Sequence, residues 1–125
     1  MYRPGVGIDV TFDELLVLIV RDAALRGLLI GQLSLAGEVL ATYDGALDDP
    51  AFDRIARPPA ILITDDDDVA ISFETMAEGD RWGGFIHLAD GRDASPTHKV
   101  ARVDRARACE QIRETLAVWR QARFH

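Results

Sequence analysis

Apolar and polar positions alternate along this chain in segments of different period. Residues 1–10 carry Pro4, Gly5 and Gly7 and read as an extended arm or a short edge strand. The run Leu15–Val20 is apolar throughout and, past Arg21 and Asp22, continues to Leu25. Thr11 and Glu14 stand at capping-box spacing, with Val10 and Leu15 placed as the hydrophobic staple. The pattern predicts a helix from Phe12 to about Arg26 with Gly27 as its stop, apolar on most faces and hence buried on more than one side. Leu28–Ala36, interrupted by Gly31 and ended by Gly37, reads as a short helix or turn continuing from it.

Glu38–Tyr43 has the composition of a strand closed by the turn pair Asp44-Gly45. Asp48-Asp49-Pro50 opens a short helix through Ala56, and Pro58-Pro59 ends it. Ala60–Thr64 is a short apolar run suited to a strand buried on both faces. Val69, Ile71 and Phe73 alternate with smaller residues at the strand period, so a strand is predicted there, joined to the previous one by an Asp65–Asp68 turn. Trp82–Ala89 is a further strand, and Gly83-Gly84 within it predicts a bulge or a close backbone approach. A polar loop with Asp90-Gly91 and Ser95-Pro96 leads to a last helix capped by Asp104. Cys109, Ile112, Leu116 and Trp119 form one stripe on it. Strands gathered between helices predict an α+β fold in a single domain, residues 1–125: a mainly antiparallel sheet of about four strands with two long helices packed on one face.

Composition narrows the function. The 125 residues, 48% apolar and 28% charged, suit one domain with a filled core and a charged surface. A net charge of −7 argues against a surface devoted to nucleic acid. The apolar run is too short for a membrane span, and acids rather than bases precede it, so neither insertion nor export is expected. Cys109 is the single cysteine, which suits a reducing compartment and a core position rather than a nucleophile.

Candidate chemistry is sparse. Asp65, Asp66, Asp67 and Asp68 invite a metal reading, but a calcium loop begun at Asp65 would place Val69 and Ala70 where an oxygen ligand and glycine belong. A solvated acidic turn is the expectation. His87, His98 and His125 form no zinc pattern. Neither a phosphate loop nor a nucleophile elbow is present. No catalytic residue, metal or cofactor is therefore expected.

Charge, by contrast, is segregated. From Asp44 to Asp90 there are twelve acids against three arginines, whereas from Thr97 to His125 seven bases face three acids. One reading is a monomer with two differently charged faces. The other is head-to-tail association, in which Lys99, Arg102, Arg105 and Arg107 of one copy meet Asp65–Asp68 of the next, a heterologous contact able to close into a ring.

In element order the chain resembles the tail-terminator (tail-completion) proteins of long-tailed phages, the Mu-like group in particular. The resemblance is carried by an apolar helix at Phe12–Arg26 and a strand ending in Tyr43-Asp44-Gly45. A short acidic helix and the segment Pro59-Ala60-Ile61-Leu62-Ile63 follow, then the strand Phe85–Leu88 and a final helix of the Ile112-Arg113-x-x-Leu116 type. It implies a structural virion protein without enzyme activity, assembled in the host cytoplasm. About six copies would form a ring that caps the tail tube and docks to the neck. Other head–tail connector components remain open. So do a small cytoplasmic enzyme or ligand-binding domain using the acidic turn, and a bacterial regulatory or immunity-type protein whose acidic surface meets a basic partner.

Overall fold

The computed structural model describes residues 14–45, 47–55, 60–76, 82–91 and 99–123. The expected arm at residues 1–10, the Thr11 cap, Pro58-Pro59, Ser95-Pro96, His98 and His125 lie outside them. The run Leu15–Ile19 forms strand β1, followed by helix α1 (Ala23–Leu35), strand β2 (Val39–Thr42) and helix α2 (Pro50–Ile55). Strand β3 (Ala60–Thr64), two short helices α3 (Asp67–Ile71) and α4 (Phe73–Met76), and strand β4 (Trp82–Ala89) come next. Strand β5 (Val100–Asp104), a 3-10 turn (Arg105–Arg107) and helix α5 (Ala108–Arg123) complete the order.

All four strand pairings are parallel, in the order β2-β1-β3-β4-β5. The antiparallel expectation is therefore corrected: the domain is a doubly wound α/β fold. The two long helices, α1 and α5, do pack on one face, as expected, and the short helices α2, α3 and α4 cover the other. Leu16, Leu18, Ile61, Ile63, Ile86 and Leu88 point to a core closed by α1 and α5. Leu15, Val17, Ile19, Leu62 and Phe85 point to a second core under Phe52 of α2, Val69 of α3 and Phe73 of α4. Two apolar layers are what a parallel sheet covered by helices on both faces requires.

The first helix expected from Phe12 to Arg26 is instead strand β1 and the start of α1. All five β1 residues are buried, alternately toward the two cores, so the unbroken apolar run reflects a strand with no solvent side. Asp22 then starts α1, its carboxylate accepting from the N–H groups of Ala24 (3.0 Å) and Leu25 (3.1 Å). Gly27 stands inside the helix. The true stop is Gly37, at φ 90°, where Glu38 N–H donates to Leu33 O and Gly37 N–H to Ser34 O. This left-handed position predicts that Gly37→Ala lowers stability by about 1 kcal/mol, read from chemical denaturation, because a Cβ is disfavoured there.

Val69–Phe73, expected as a strand, is helical. Asp66 caps α3 by accepting from Asp68 and Val69, and Val69 and Phe73, four residues apart, are both buried against the sheet. Strand β5 fell within the segment expected as loop and cap. Only Ala101 and Val103 are fully buried in it, and Arg102 lies exposed at the edge. The Gly83-Gly84 pair does both things its sequence suggested. Ala60 pairs with Trp82 but Ile61 with Gly84, so Gly83 is the extra residue of a bulge. A Cβ on Gly84 would overlap the ring of Trp119 from α5.

Buried charge ties the ends of the described chain together. Glu14, at the entrance to β1, is 1% exposed and accepts from Arg120 Nε at 3.2 Å. The same guanidinium makes a two-pronged pair with Glu38 at 2.9 and 2.7 Å. Helix α5 is thus clamped to the starts of β1 and β2.

Candidate functional site

In an open doubly wound sheet, ligands bind beyond the carboxyl ends of the strands, where successive connections leave for opposite faces. Here that switch point lies between β1 and β3. The chain leaves β1 for α1 on one face and leaves β3 for α3 on the other. The residues that follow these strands are Arg21-Asp22 and Asp65-Asp66, so the crevice is made from half of the four-aspartate segment and the residues that interrupt the first apolar run.

Each acid there is engaged with the chain itself. One Asp65 oxygen accepts the N–H of Arg21 at 2.7 Å and the other that of Asp22 at 3.0 Å, a bridge from one lip of the crevice to the other. Arg21 Nε donates to Asp66 at 3.1 Å, and its Nη1 donates to the Asp44 carbonyl at 3.1 Å. Asp22 and Asp66 also cap α1 and α3. Below them Thr64 Oγ1 donates to Ile19 O at 2.7 Å and accepts from Asp66 N–H at 3.0 Å, joining β1 to the start of the β3 loop. Asp67 meets His87 Nε2 at 2.9 Å, bringing in β4.

The electrostatics follow this geometry. Partial desolvation works to raise the Asp66 carboxyl. The hydrogen bonds from Arg21, Asp68 and Val69 outweigh it and hold the group below the ordinary carboxylate range. Around the same rim the Tyr43 hydroxyl is pushed up, first by desolvation and then by Asp49, Asp44 and Asp48. Both helix N-termini at the crevice, which would otherwise offer N–H donors to an anion, are already served by carboxylates. A phosphate would have to displace those carboxylates and approach a ring of negative charge. A cation would find the oxygens turned to N–H groups, and no cluster of three or more metal-ligating side chains occurs among the described residues.

The expected interface residues are distributed over both ends of the sheet. Asp65–Asp68 lie at the carboxyl end of β3, and Asp67 and Asp68 belong to the first turn of α3 rather than to a free turn. Arg105 and Arg107 follow β5 on the same rim, two strands away, where Arg107 pairs with Glu110 of α5 and Arg105 Nη2 lies 3.5 Å from Leu88 O. Glu110 raises the Arg107 pKa, by hydrogen bonding and by charge. Arg102 sits within β5 opposite His87, and Lys99 precedes β5 at the other end of the sheet. Cys109 is half-buried, and desolvation pushes its thiol up, away from a reactive thiolate. Arg21 was not singled out from sequence. Only the β1/β3 adjacency shows that it reaches Asp66, 45 residues away.

The order β2-β1-β3-β4-β5 is one of the doubly wound sheet orders, an architecture that by itself assigns no function. Comparison with protein families, with curated proteins and with solved structures finds no match to this chain.

Proposed function

We propose that this chain is a non-catalytic regulatory binding domain, a doubly wound module that acts through protein contact rather than through a ligand held at its switch point. The observation that carries the reading is the Asp65 bridge: both of its oxygens are taken by backbone N–H groups across the crevice, while Arg21 spans from Asp66 to Asp44. The groups that in this architecture would bind phosphate, flavin or metal are spent on closing the loops. What the rim presents outward is mainly acidic, at Asp44, Asp48, Asp49, Asp67, Asp68 and Asp90, with Arg105 and Arg107 at its β5 end. Such a surface steers a basic partner and sets its orientation more than its affinity.

A tail-terminator ring remains the competing proposal. Its element order, however, begins with a helix at Phe12–Arg26, and the described residues of that segment form β1 and the start of α1.

The test is a ligand panel. Millimolar magnesium or calcium, inorganic phosphate, flavin mononucleotide, and acetyl phosphate with magnesium should each leave the melting temperature within about 1 °C. A ligand that bound only the folded state would raise it by mass action. A saturable rise of several degrees, abolished by Asp65→Asn, would overturn the reading, as would an acyl phosphate on Asp65 detected by intact mass.

A further inference from the structure

Helix α1 is buried only along Leu25, Leu29 and Leu33. Its outer side carries Ala24, Leu28, Gly31 and Leu35, with Leu28 53% and Leu35 88% exposed. Beyond the chain neighbours and the helix's own backbone, no described atom stands within 4 Å of where a Cβ on Gly27 or Gly31 would be. Arg26 is the single charged residue of this 13-residue helix, and its Nη1 donates to the Val20 carbonyl at 2.9 Å. Beside α1 runs a groove of about 570 Å³ lined by Gln32 of α1 and by Cys109, Glu110, Arg113, Glu114 and Ala117 of α5. One face therefore shows projecting leucines, a helix surface flattened by glycine and an adjoining groove.

We propose that the α1/α5 face docks a second copy of this chain in an isologous dimer, the leucines of each copy entering the groove of the other. Charge selects the occupant. The protein carries −7 overall and its carboxyl-end rim is acidic, so most approaches between two copies are repulsive. On this face α1 adds no outward charge, while Arg107 of the 3-10 turn and Arg113 of α5 stand with Glu110 and Glu114, a balanced set in which Arg107 is already paired to Glu110. An antiparallel crossing of two α5 helices sets Arg113 of each copy against Glu110 and Glu114 of the other, which is self-complementarity of the kind a two-fold axis requires. The helices are about 20 and 24 Å long and pack about 10 Å apart. Side by side they make a face of roughly 20 by 24 Å, on the order of 500 Å² per copy, the size of a weak, reversible interface. This proposal is independent of what the acidic rim binds.

Sedimentation equilibrium from ~1 µM to ~1 mM spans the association expected of an interface this size. A reversible monomer–dimer equilibrium is expected for the wild type. Leu28→Glu with Leu35→Glu should abolish it while leaving the circular dichroism and melting temperature of the monomer unchanged, since both side chains are exposed. A wild type that stays monomeric throughout, or a double variant that still dimerises, overturns the proposal. Should the double variant misfold, Arg113→Glu decides. A weakening of tenfold or more, reversed on mixing with a Glu110→Arg/Glu114→Arg copy, supports the dimer. Unchanged association overturns it.

Discussion

Replacing Arg120 with methionine is expected to lower the unfolding free energy by about 3–5 kcal/mol, measured by urea denaturation. The reason is asymmetry between making and breaking a buried ion pair. Glu14 is 1% exposed and lies against the Arg120 guanidinium, which also holds Glu38 through two hydrogen bonds. Removing the arginine leaves a carboxylate in the interior without the cation that compensates its lost hydration. Adding Glu14→Leu to the same variant should recover part of the loss, because it removes the 1%-exposed carboxylate, while Glu38, its side chain 12% exposed, still lacks the guanidinium. A single-variant loss below about 1 kcal/mol, or a double variant no better than the single, would show that the clamp contributes little.

Phe85→Ala is expected to cost about 3–5 kcal/mol, the range for truncating a buried aromatic side chain where the surroundings relax only in part. Phe85 has no solvent exposure and lies on β4, between β3 and β5. Its ring is 4.9 Å from Phe73 and 5.5 Å from Trp82, and Trp82 continues through Phe52 (5.7 Å) to Tyr43, itself 5.1 Å from Phe52. This row of rings joins α4 and α2 to the strands beneath them, so the cavity opens directly under two short helices. Loss of near-ultraviolet ellipticity should accompany the drop in stability. A cost under 1 kcal/mol would mean that α4 collapses into the space or that the ring row is absent in solution.

These two sites sit differently with respect to the sequence. The aromatic segment Trp82–Ala89 reads as a strand on composition, and the Gly83-Gly84 pair within it already indicates a bulge and a close approach. The Glu14–Arg120 pair spans 106 residues and follows from no local pattern.

The sequence alone specifies those elements whose signals are local. Strands β2, β3 and β4, helix α2 behind Asp49-Pro50 and the Ile112–Leu116–Trp119 stripe of α5 all lie where spacing and turn chemistry put them, whereas Asp104 caps the 3-10 turn ahead of α5 rather than α5 itself. The poverty of catalytic motifs is equally a property of the sequence.

Three decisions belong to the tertiary structure. Leu15–Ile19 is a strand because it is central in the sheet, between β2 and β3, and buried on both faces. An apolar run of that length satisfies a buried helix equally well until its neighbours are known. Val69–Phe73 is helical because Asp66 caps it and both Val69 and Phe73 face the sheet, a contact that outweighs its alternating pattern. The pairing is parallel because the helices return the chain over the faces of the sheet, which no residue spacing encodes. From that pairing comes the crevice itself: Arg21 and Asp65 are 44 residues apart and become neighbours only because β1 and β3 lie side by side. Local chemistry sets where helices and strands begin and end. Burial shared between distant segments sets which strand lies beside which, and therefore which side chains share a site.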